Sequence, residues 1–295
     1  HLTARVWGHA ALAAVTVAGD FRLSVLGDLS RSATSEADRI VADRFALRVV
    51  GDAGTVDNAV LYETSRFDAK VDGLFRGVEL DDLNLGRYGI RLDSGSDETL
   101  RVEVRGDGSV ARVLTEGGEL VDAGSGRLEL VAPQEDLRVE AVVRGTGGAT
   151  IAVVADVGGV LLARNVISEG TGRVEILAPE DRILFLSTPV TVKAGAGGSL
   201  LRAATNLSVS RVESAGSLLL ESLTGYVGGI EPRSTPNLVM TDPTAVGEVR
   251  AVTGASLLGF SPVGYMRLVV SDVNLDQNFG FYQSNNFFWL RGGSF

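Results

Sequence analysis

The octapeptide Gly-Arg-Leu-Glu-Leu-Val-Ala-Pro at 126–133 recurs as Gly-Arg-Val-Glu-Ile-Leu-Ala-Pro at 172–179, and a looser copy, Gly-Ser-Leu-Leu-Leu-Glu-Ser-Leu, occupies 216–223. Two further apolar runs that begin with glycine lie between these copies, at 148–154 and 198–203. The leading glycines stand at 126, 148, 172, 198 and 216, so the spacings are 22, 24, 26 and 18 residues. Short β-prone runs that repeat at such a period predict the stacked coils of an all-β solenoid.

A β-sandwich is the alternative fold, because it also contains many short strands separated by turns every ~8 to 12 residues. The self-similarity favours the solenoid, since stacked coils place equivalent residues above one another and a sandwich gains nothing from a fixed offset. The period varies between 18 and 26 residues, however, so the sequence does not exclude the β-sandwich.

Composition divides the chain into three parts. Residues 1–99 form an irregular amino-terminal β region, residues 100–229 carry the solenoid coils, and residues 230–295 form an aromatic-rich carboxyl-terminal segment or cap. Within the first part, residues 35–47 begin with a serine followed three positions later by an acid, and their apolar residues approximate one helical face. This pattern predicts a short helix or an irregular insertion.

The charge balance argues against polyanionic partners. The chain has 27 basic and 37 acidic residues, a formal net charge of −10, which disfavours nucleic acids and anionic membranes in general. A binder of either would need a local basic patch. The arginines are scattered singly along the sequence and the only lysines are Lys70 and Lys193, so the sequence predicts no such patch and no nucleic-acid partner.

The residue inventory also limits the chemistry of any site. There is no cysteine, and the only histidines are His1 and His9, which leaves little material for thiolate or imidazole chemistry. No apolar run reaches the ~18 to 20 residues of a membrane span, so none is predicted.

Two motifs are candidate partner-binding residues. Arg105-Gly106-Asp107 matches a short ligand of animal adhesion receptors and lies on a predicted turn, although Gly-Asp-Gly is also an ordinary turn sequence. Phe287, Phe288 and Trp289 in the aromatic tail would form an adhesive patch if exposed, or close the last coil if buried.

Acidic clusters suggest two further kinds of site. Paired acids at 81–82, 135–136 and 180–181 are the minimum for glycoside cleavage, but the last two pairs follow the repeated Ala-Pro and are interpreted as coil corners. The segments 93–98 and 272–278 gather oxygen ligands suited to Ca²⁺ without matching a known calcium-loop spacing. We therefore assign no catalytic residue, metal ligand or cofactor from the sequence, and Ca²⁺ is the one cofactor considered.

One stretch carries a family resemblance. The sequence of 198–222, Gly-Ser-Leu-Leu-Arg-Ala-Ala-Thr-Asn-Leu-Ser-Val-Ser-Arg-Val-Glu-Ser-Ala-Gly-Ser-Leu-Leu-Leu-Glu-Ser, resembles coils of filamentous-haemagglutinin-type large exoproteins, and 19–29 resembles them more faintly. The resemblance implies a right-handed parallel β-helix, export from a bacterium, and a role as a surface adhesin or structural stalk without catalysis. It carries over no functional residue.

The expected function is therefore that of a non-catalytic, secreted or cell-surface β-solenoid with a structural or adhesive role. Its expected partners are a host or neighbouring cell-surface glycan or protein, or copies of itself. Two alternatives stay open at this point: an enzyme that degrades or modifies polysaccharide on a β-helix, and a self-assembling filament or shell subunit.

Overall fold

The computed structural model describes residues 1–32, 35–92, 98–106, 108, 110–115, 121–122, 125–187, 189–230, 237–242, 244–252, 254–256, 260–262, 265–270 and 288–292. For residues 92, 121–122 and all those from 254 onward, the description is limited to the backbone.

The fold is a parallel β-solenoid, as predicted, and the β-sandwich alternative is wrong. Every strand pairing among the described residues is parallel, whereas the sheets of a sandwich are antiparallel. The strands are β1 Leu2–Val6, β2 Ala10–Leu12, β3 Val15–Val25, β4 Leu29–Arg31, β5 Ile40–Val49, β6 Val60–Val71, β7 Phe75–Glu79, β8 Leu83–Leu92, β9 Thr99–Val104, β10 Val110–Thr115, β11 Val121–Asp122, β12 Arg127–Ala132, β13 Asp136–Val139, β14 Val143–Gly145, β15 Thr150–Ala155, β16 Val160–Leu162, β17 Val166–Ser168, β18 Arg173–Ala178, β19 Ile183–Phe185, β20 Thr191–Ala194, β21 Gly198–Ala203, β22 Leu207–Val209, β23 Arg211–Ser214, β24 Leu218–Ser222, β25 Tyr226–Gly229, β26 Leu238–Met240, β27 Val246–Ala251, β28 Gly254–Ser256, β29 Phe260–Pro262, β30 Tyr265–Val270 and β31 Phe288–Gly292.

From β12 to β27 each coil contains three strands, so each strand pairs with the strand three places later in the chain. The repeated octapeptides are the first strands of their coils. Arg127 pairs with Thr150, which pairs with Arg173, so the two best-matching copies lie two coils apart with 23 residues per coil. Alternate residues such as Leu128 and Leu130 are fully buried in the lumen, which explains the period-2 pattern.

One continuous ladder of paired residues runs through the whole stack, with one residue in each coil. The ladder extends beyond both predicted boundaries of the solenoid, at 99/100 and at 229/230. The coils are therefore not confined to 100–229. The members of this ladder are Ala10, Leu29, Ala53, Phe75, Leu100, Leu128, Ile151, Val174, Ser199, Leu218, Gly247, Met266 and Phe288.

The helix predicted within 35–47 is wrong, because this segment enters β5. Ile40, Ala42, Phe45 and Leu47 are buried, and two consecutive residues between Ala42 and Phe45 both face outward. This local irregularity interrupts the alternation of inward and outward side chains along the strand. Because of it, the apolar residues have a spacing in the sequence that resembles that of a helix.

The amino-terminal coils differ from the later ones in strand length and in core composition. β3, β5 and β6 are 11, 10 and 12 residues long and continue from one face of the solenoid to the next. Their register stacks Phe21, Phe45 and Phe67, with ring centroids 5.5 and 5.3 Å apart. Tyr62 stacks on Phe67 at 4.2 Å, so aromatic packing replaces the Leu and Val packing of later coils.

The leading glycines of the repeat are required by close packing between coils. At Gly126, Gly172 and Gly216, a Cβ atom would overlap a backbone carbonyl oxygen of the preceding coil. Two other leading glycines, Gly148 and Gly198, have positive φ of 108° and 85°, a conformation that favours glycine.

We expect Gly216→Ala to destabilise the protein by about 1–3 kcal/mol, because the new methyl group meets the fixed Ala196 carbonyl. Gly8→Ala is the matched control: no atom lies within 4 Å of its Cβ position, and its effect should stay within about 0.5 kcal/mol. Urea unfolding followed by circular dichroism measures both. Equal midpoints for the two variants would contradict the close-packing account.

Candidate functional site: a basic groove on the amino-terminal coils

Cations from successive coils form a row on the outer face of β1, β3, β5, β6 and β8. Because neighbouring strands pair in register, outward side chains of successive coils stand side by side, roughly 4.8 Å apart. The residue numbers along the row differ by 19, 24, 22 and 21, which are coil lengths. The members of this basic row are Arg5, Ser24, Arg48, Lys70 and Arg91.

A second row runs beside the basic row, two residues earlier on each strand. It consists of Thr3, Arg22, Ala46 and Asp68. Arg22 is exposed and lies on the same strand as Ser24. It therefore supplies a cation at the one coil where the basic row has none.

A bulge in β8 forms the wall of the site. Phe67 pairs with Leu85 and Ala69 with Ile90, so a single residue of β6, Asp68, faces four residues of β8. The Asp68 carboxylate fixes this bulge, since its Oδ1 accepts hydrogen bonds from the backbone N–H groups of residues 88 and 89, both at 2.8 Å.

The bulge projects Tyr88 from the surface, where 63% of it is exposed. The Arg87 guanidinium lies 5.9 Å from the centroid of the Tyr88 ring, within cation–π range. An aromatic ring therefore stands at the β8 end of the basic row.

The two rows and the bulge enclose a groove of about 470 Å³. All five cations of the site line it: Arg5, Arg22, Arg48, Lys70 and Arg91. Among the described residues of the lining, Asp68 supplies the one carboxylate, and it accepts two backbone hydrogen bonds. The groove is thus positively charged in a chain whose formal net charge is −10.

Among the described residues, the arginines of the groove form no ion pairs, whereas arginines on the first strands of the later coils do. In the part of the chain that the structure describes, Arg5, Arg22, Arg48 and Arg91 have no carboxylate within ion-pair distance. The later coils contrast with this. Their pairs on the first strand of each coil include Arg101–Glu129 at 2.8 Å, Arg127–Glu129 at 2.7 Å, Arg173–Glu175 at 2.7 Å, Arg202–Glu221 at 2.5 Å and Arg250–Glu248 at 2.9 Å.

The expectation that the chain has no local basic patch is therefore wrong. The arginines are single in the sequence, but their spacing by one coil length brings them together in the fold. Sequence reasoning missed the groove because it searched for clusters of neighbouring residues and not for cations separated by one coil.

Of the predicted tripeptide, Arg105 and Gly106 are described, and neither lines this groove. Arg105 forms ion pairs with Glu36 at 2.6 Å and Glu103 at 3.0 Å, so its guanidinium is engaged. Asp107 lies outside the described residues, and display of the tripeptide stays a prediction.

The aromatic tail adds a last strand to the stack. Phe288 and Trp289 begin β31, in register with Met266 and Arg267 of β30, while Phe287 lies outside the described residues. Whether the tail is adhesive or buried stays a prediction.

The acidic pairs act as coil corners where the structure describes their contacts. Asp136 Oδ1 accepts a hydrogen bond from the Gly159 N–H at 2.6 Å, and Asp82 Oδ1 accepts one from the Arg112 N–H at 3.0 Å. Both bonds join neighbouring coils.

The predicted calcium segments fall mostly on residues that the structure does not describe, namely 93–97 and 272–278. Among the residues it does describe, no group of three or more potential ligands could hold a metal ion. The calcium sites therefore stay predictions.

The lumen also contains a buried acid, Glu79, that the sequence did not predict. Glu79 is fully buried, in register with Tyr62 and Val104, and accepts hydrogen bonds from the backbone N–H and hydroxyl of Thr64 at 3.3 and 3.5 Å. Burial is the largest influence and raises the pKa of the Glu79 carboxyl well above its usual value, although backbone hydrogen bonds, first that of Thr64, lower it in part. Burial, and then the proximity of Glu79, also raises the pKa of Tyr62.

No family model matches the sequence, and comparison with curated proteins and with solved structures yields no match. Within the described residues, no helix has the length and hydropathy needed to cross a membrane.

Glu79→Gln should stabilise the protein at pH 8 and leave its stability at pH 4 nearly unchanged. The unfolded chain loses the Glu79 proton at the ordinary pKa of ~4.3, while the folded chain, in which burial raises the Glu79 pKa, loses it only at a higher pH. Stability of the native protein therefore falls as the pH rises from that value toward the folded pKa, by about 1.4 kcal/mol for each unit of elevation. Glutamine resembles the neutral acid and removes this loss.

Urea unfolding at a series of pH values measures the effect, with Glu180→Gln at an exposed position as the control. A Glu79→Gln protein that is less stable than the native protein at pH 8, or a difference independent of pH, would contradict a neutral buried Glu79.

Proposed function

We propose that this protein is a non-catalytic, adhesive β-solenoid, secreted or displayed on a cell surface, that holds an anionic partner in the basic groove. The observation that carries the proposal is a set of four arginines in a single groove, Arg5, Arg22, Arg48 and Arg91, none of which has an ion pair with a described residue. Elsewhere on the solenoid, arginines of the first strands are paired with glutamates. Unpaired cations that share a concave surface are available to a ligand.

The architecture supports a binding role because the groove is rigid before any ligand arrives. Its floor consists of in-register strands whose backbone groups bond to the coils on either side. A preorganised site loses little conformational entropy on binding, so more of the interaction energy appears as affinity.

The composition of the groove supports a role without catalysis. Glycoside cleavage requires two carboxyl groups about 5 to 10 Å apart. The part of the groove lining that the structure describes contains one, Asp68, whose Oδ1 accepts two backbone hydrogen bonds of the β8 bulge.

The resemblance of 198–222 to filamentous-haemagglutinin-type coils supports the surface location and the bacterial origin. A solenoid of this kind would act as a stalk that presents its groove at a distance from the cell.

The groove should retain the protein on a cation-exchange resin at pH 7, in spite of a sequence pI near 4.8. The variant Arg5→Gln/Arg22→Gln/Arg48→Gln/Arg91→Gln should elute at a much lower salt concentration, because local charge governs this retention. The matched control, Arg127→Gln/Arg173→Gln/Arg202→Gln/Arg250→Gln, changes the net charge equally and should elute close to the native protein.

Circular dichroism establishes that both variants are folded. The proposal fails if the native protein does not bind the resin, or if the two variants lose retention equally.

A further inference from the structure

The geometry of the groove points to an extended acidic glycan with one carboxylate on each sugar, which lies along the solenoid axis across the basic row. This inference rests on the proposed function and specifies the partner of the same site. The first argument is periodicity. The row offers one position per coil at intervals of roughly 4.8 Å and spans roughly 19 Å from Arg5 to Arg91.

A ligand that uses the whole row must be an extended polymer, since a single phosphate or a small dicarboxylate reaches only one or two positions. Its anionic groups must also recur at an interval close to that of the coils. A chain of pyranose units with one carboxylate per ring has a repeat of this order, because one extended ring is about as long as the gap between neighbouring strands.

The side-chain chemistry favours carboxylates and sugar hydroxyls. Four of the five groove cations are arginines, and a planar guanidinium binds a carboxylate through two parallel hydrogen bonds. Ser24 and Thr3 contribute hydroxyl groups between the arginines, and these can donate to or accept from the hydroxyls of a sugar ring. Tyr88 offers an apolar ring surface at the β8 end.

The same lining disfavours single-stranded nucleic acid. Proteins that bind single strands provide aromatic platforms on which successive bases stack. Of the lining residues that the structure describes, one is aromatic, Tyr88, and five are cations.

The test is isothermal titration calorimetry with oligogalacturonates of defined length, from the monosaccharide upward. Each added unit should raise the affinity roughly two- to fivefold, as expected for exposed ion pairs, until the oligomer spans the basic row. Neutral glucan oligomers, sulfated oligosaccharides and oligothymidylate of matched length are the comparison ligands. They should bind at least tenfold more weakly than the oligogalacturonate that spans the row.

Two variants connect the binding to the row. The fourfold groove variant described above should lose the dependence on length. Ser24→Arg supplies the missing cation of the row and should tighten binding of the spanning oligomer by at least twofold. Ser208→Arg adds the same charge on β22, outside the groove, and should leave the affinity unchanged.

The outcomes separate this inference from the proposed function. If sulfated oligosaccharides or oligothymidylate bind more tightly than oligogalacturonate, or if affinity does not rise with length, the uronate inference is overturned while resin binding still supports an anion-binding groove. If the native protein binds neither the resin nor any anionic oligomer, both proposals fail.

Discussion

The whole structure depends on the parallel, in-register hydrogen bonding of each coil to the next. A buried backbone group must find a partner, and in a solenoid the partner comes from the neighbouring coil. Once Leu128 pairs with Ile151, and Ile151 with Val174, every neighbouring residue on those strands is also placed. Register therefore decides which side chains enter the lumen and which stand side by side on the surface.

This constraint explains why two parts of one stack have different surfaces. On the later coils, the first strands contain both arginines and glutamates. These residues form ion pairs within a strand, such as Arg127 with Glu129, and between neighbouring coils, such as Arg101 with Glu129. On the amino-terminal coils the outward positions in register are mainly basic, so their charges add. Among the described residues of the groove lining, Asp68 is the one carboxylate, and its Oδ1 accepts two backbone hydrogen bonds of the β8 bulge.

The register between coils also determines which side chains contact one another in the lumen. Phe21, Phe45 and Phe67 stack because register places equivalent residues above one another. Glu79 occupies an inward position next to Tyr62, where its charge has no access to water. A neutral carboxyl group in the lumen is thus the expected consequence of a polar residue at a core register position.

The sequence predicted the solenoid because the copies at 126–133 and 172–179 preserve both the leading glycine and the alternation of the strand. The spacings of 22 and 24 residues between the leading glycines of this region agree with the register, which advances by 23 per coil. The basic row could not be predicted in the same way. Its members differ in identity and their separations range from 19 to 24, so the row exists only once the register is known. The helix prediction failed for a related reason, since the irregularity before Phe45 hides a strand from a periodicity search.

Cysteine pairs provide the most direct test of the register, since the native chain contains no cysteine. Arg48 and Lys70 are paired neighbours, whereas Arg48 and Arg91 lie two coils apart. A disulfide requires Cα atoms about 4.4 to 6.8 Å apart, which suits one coil spacing of ~4.8 Å but not two. The account predicts that mild oxidation cross-links Arg48→Cys/Lys70→Cys almost completely and leaves Arg48→Cys/Arg91→Cys reduced. Equal cross-linking of both variants, or none in the first, would contradict the stacked register on which the groove depends.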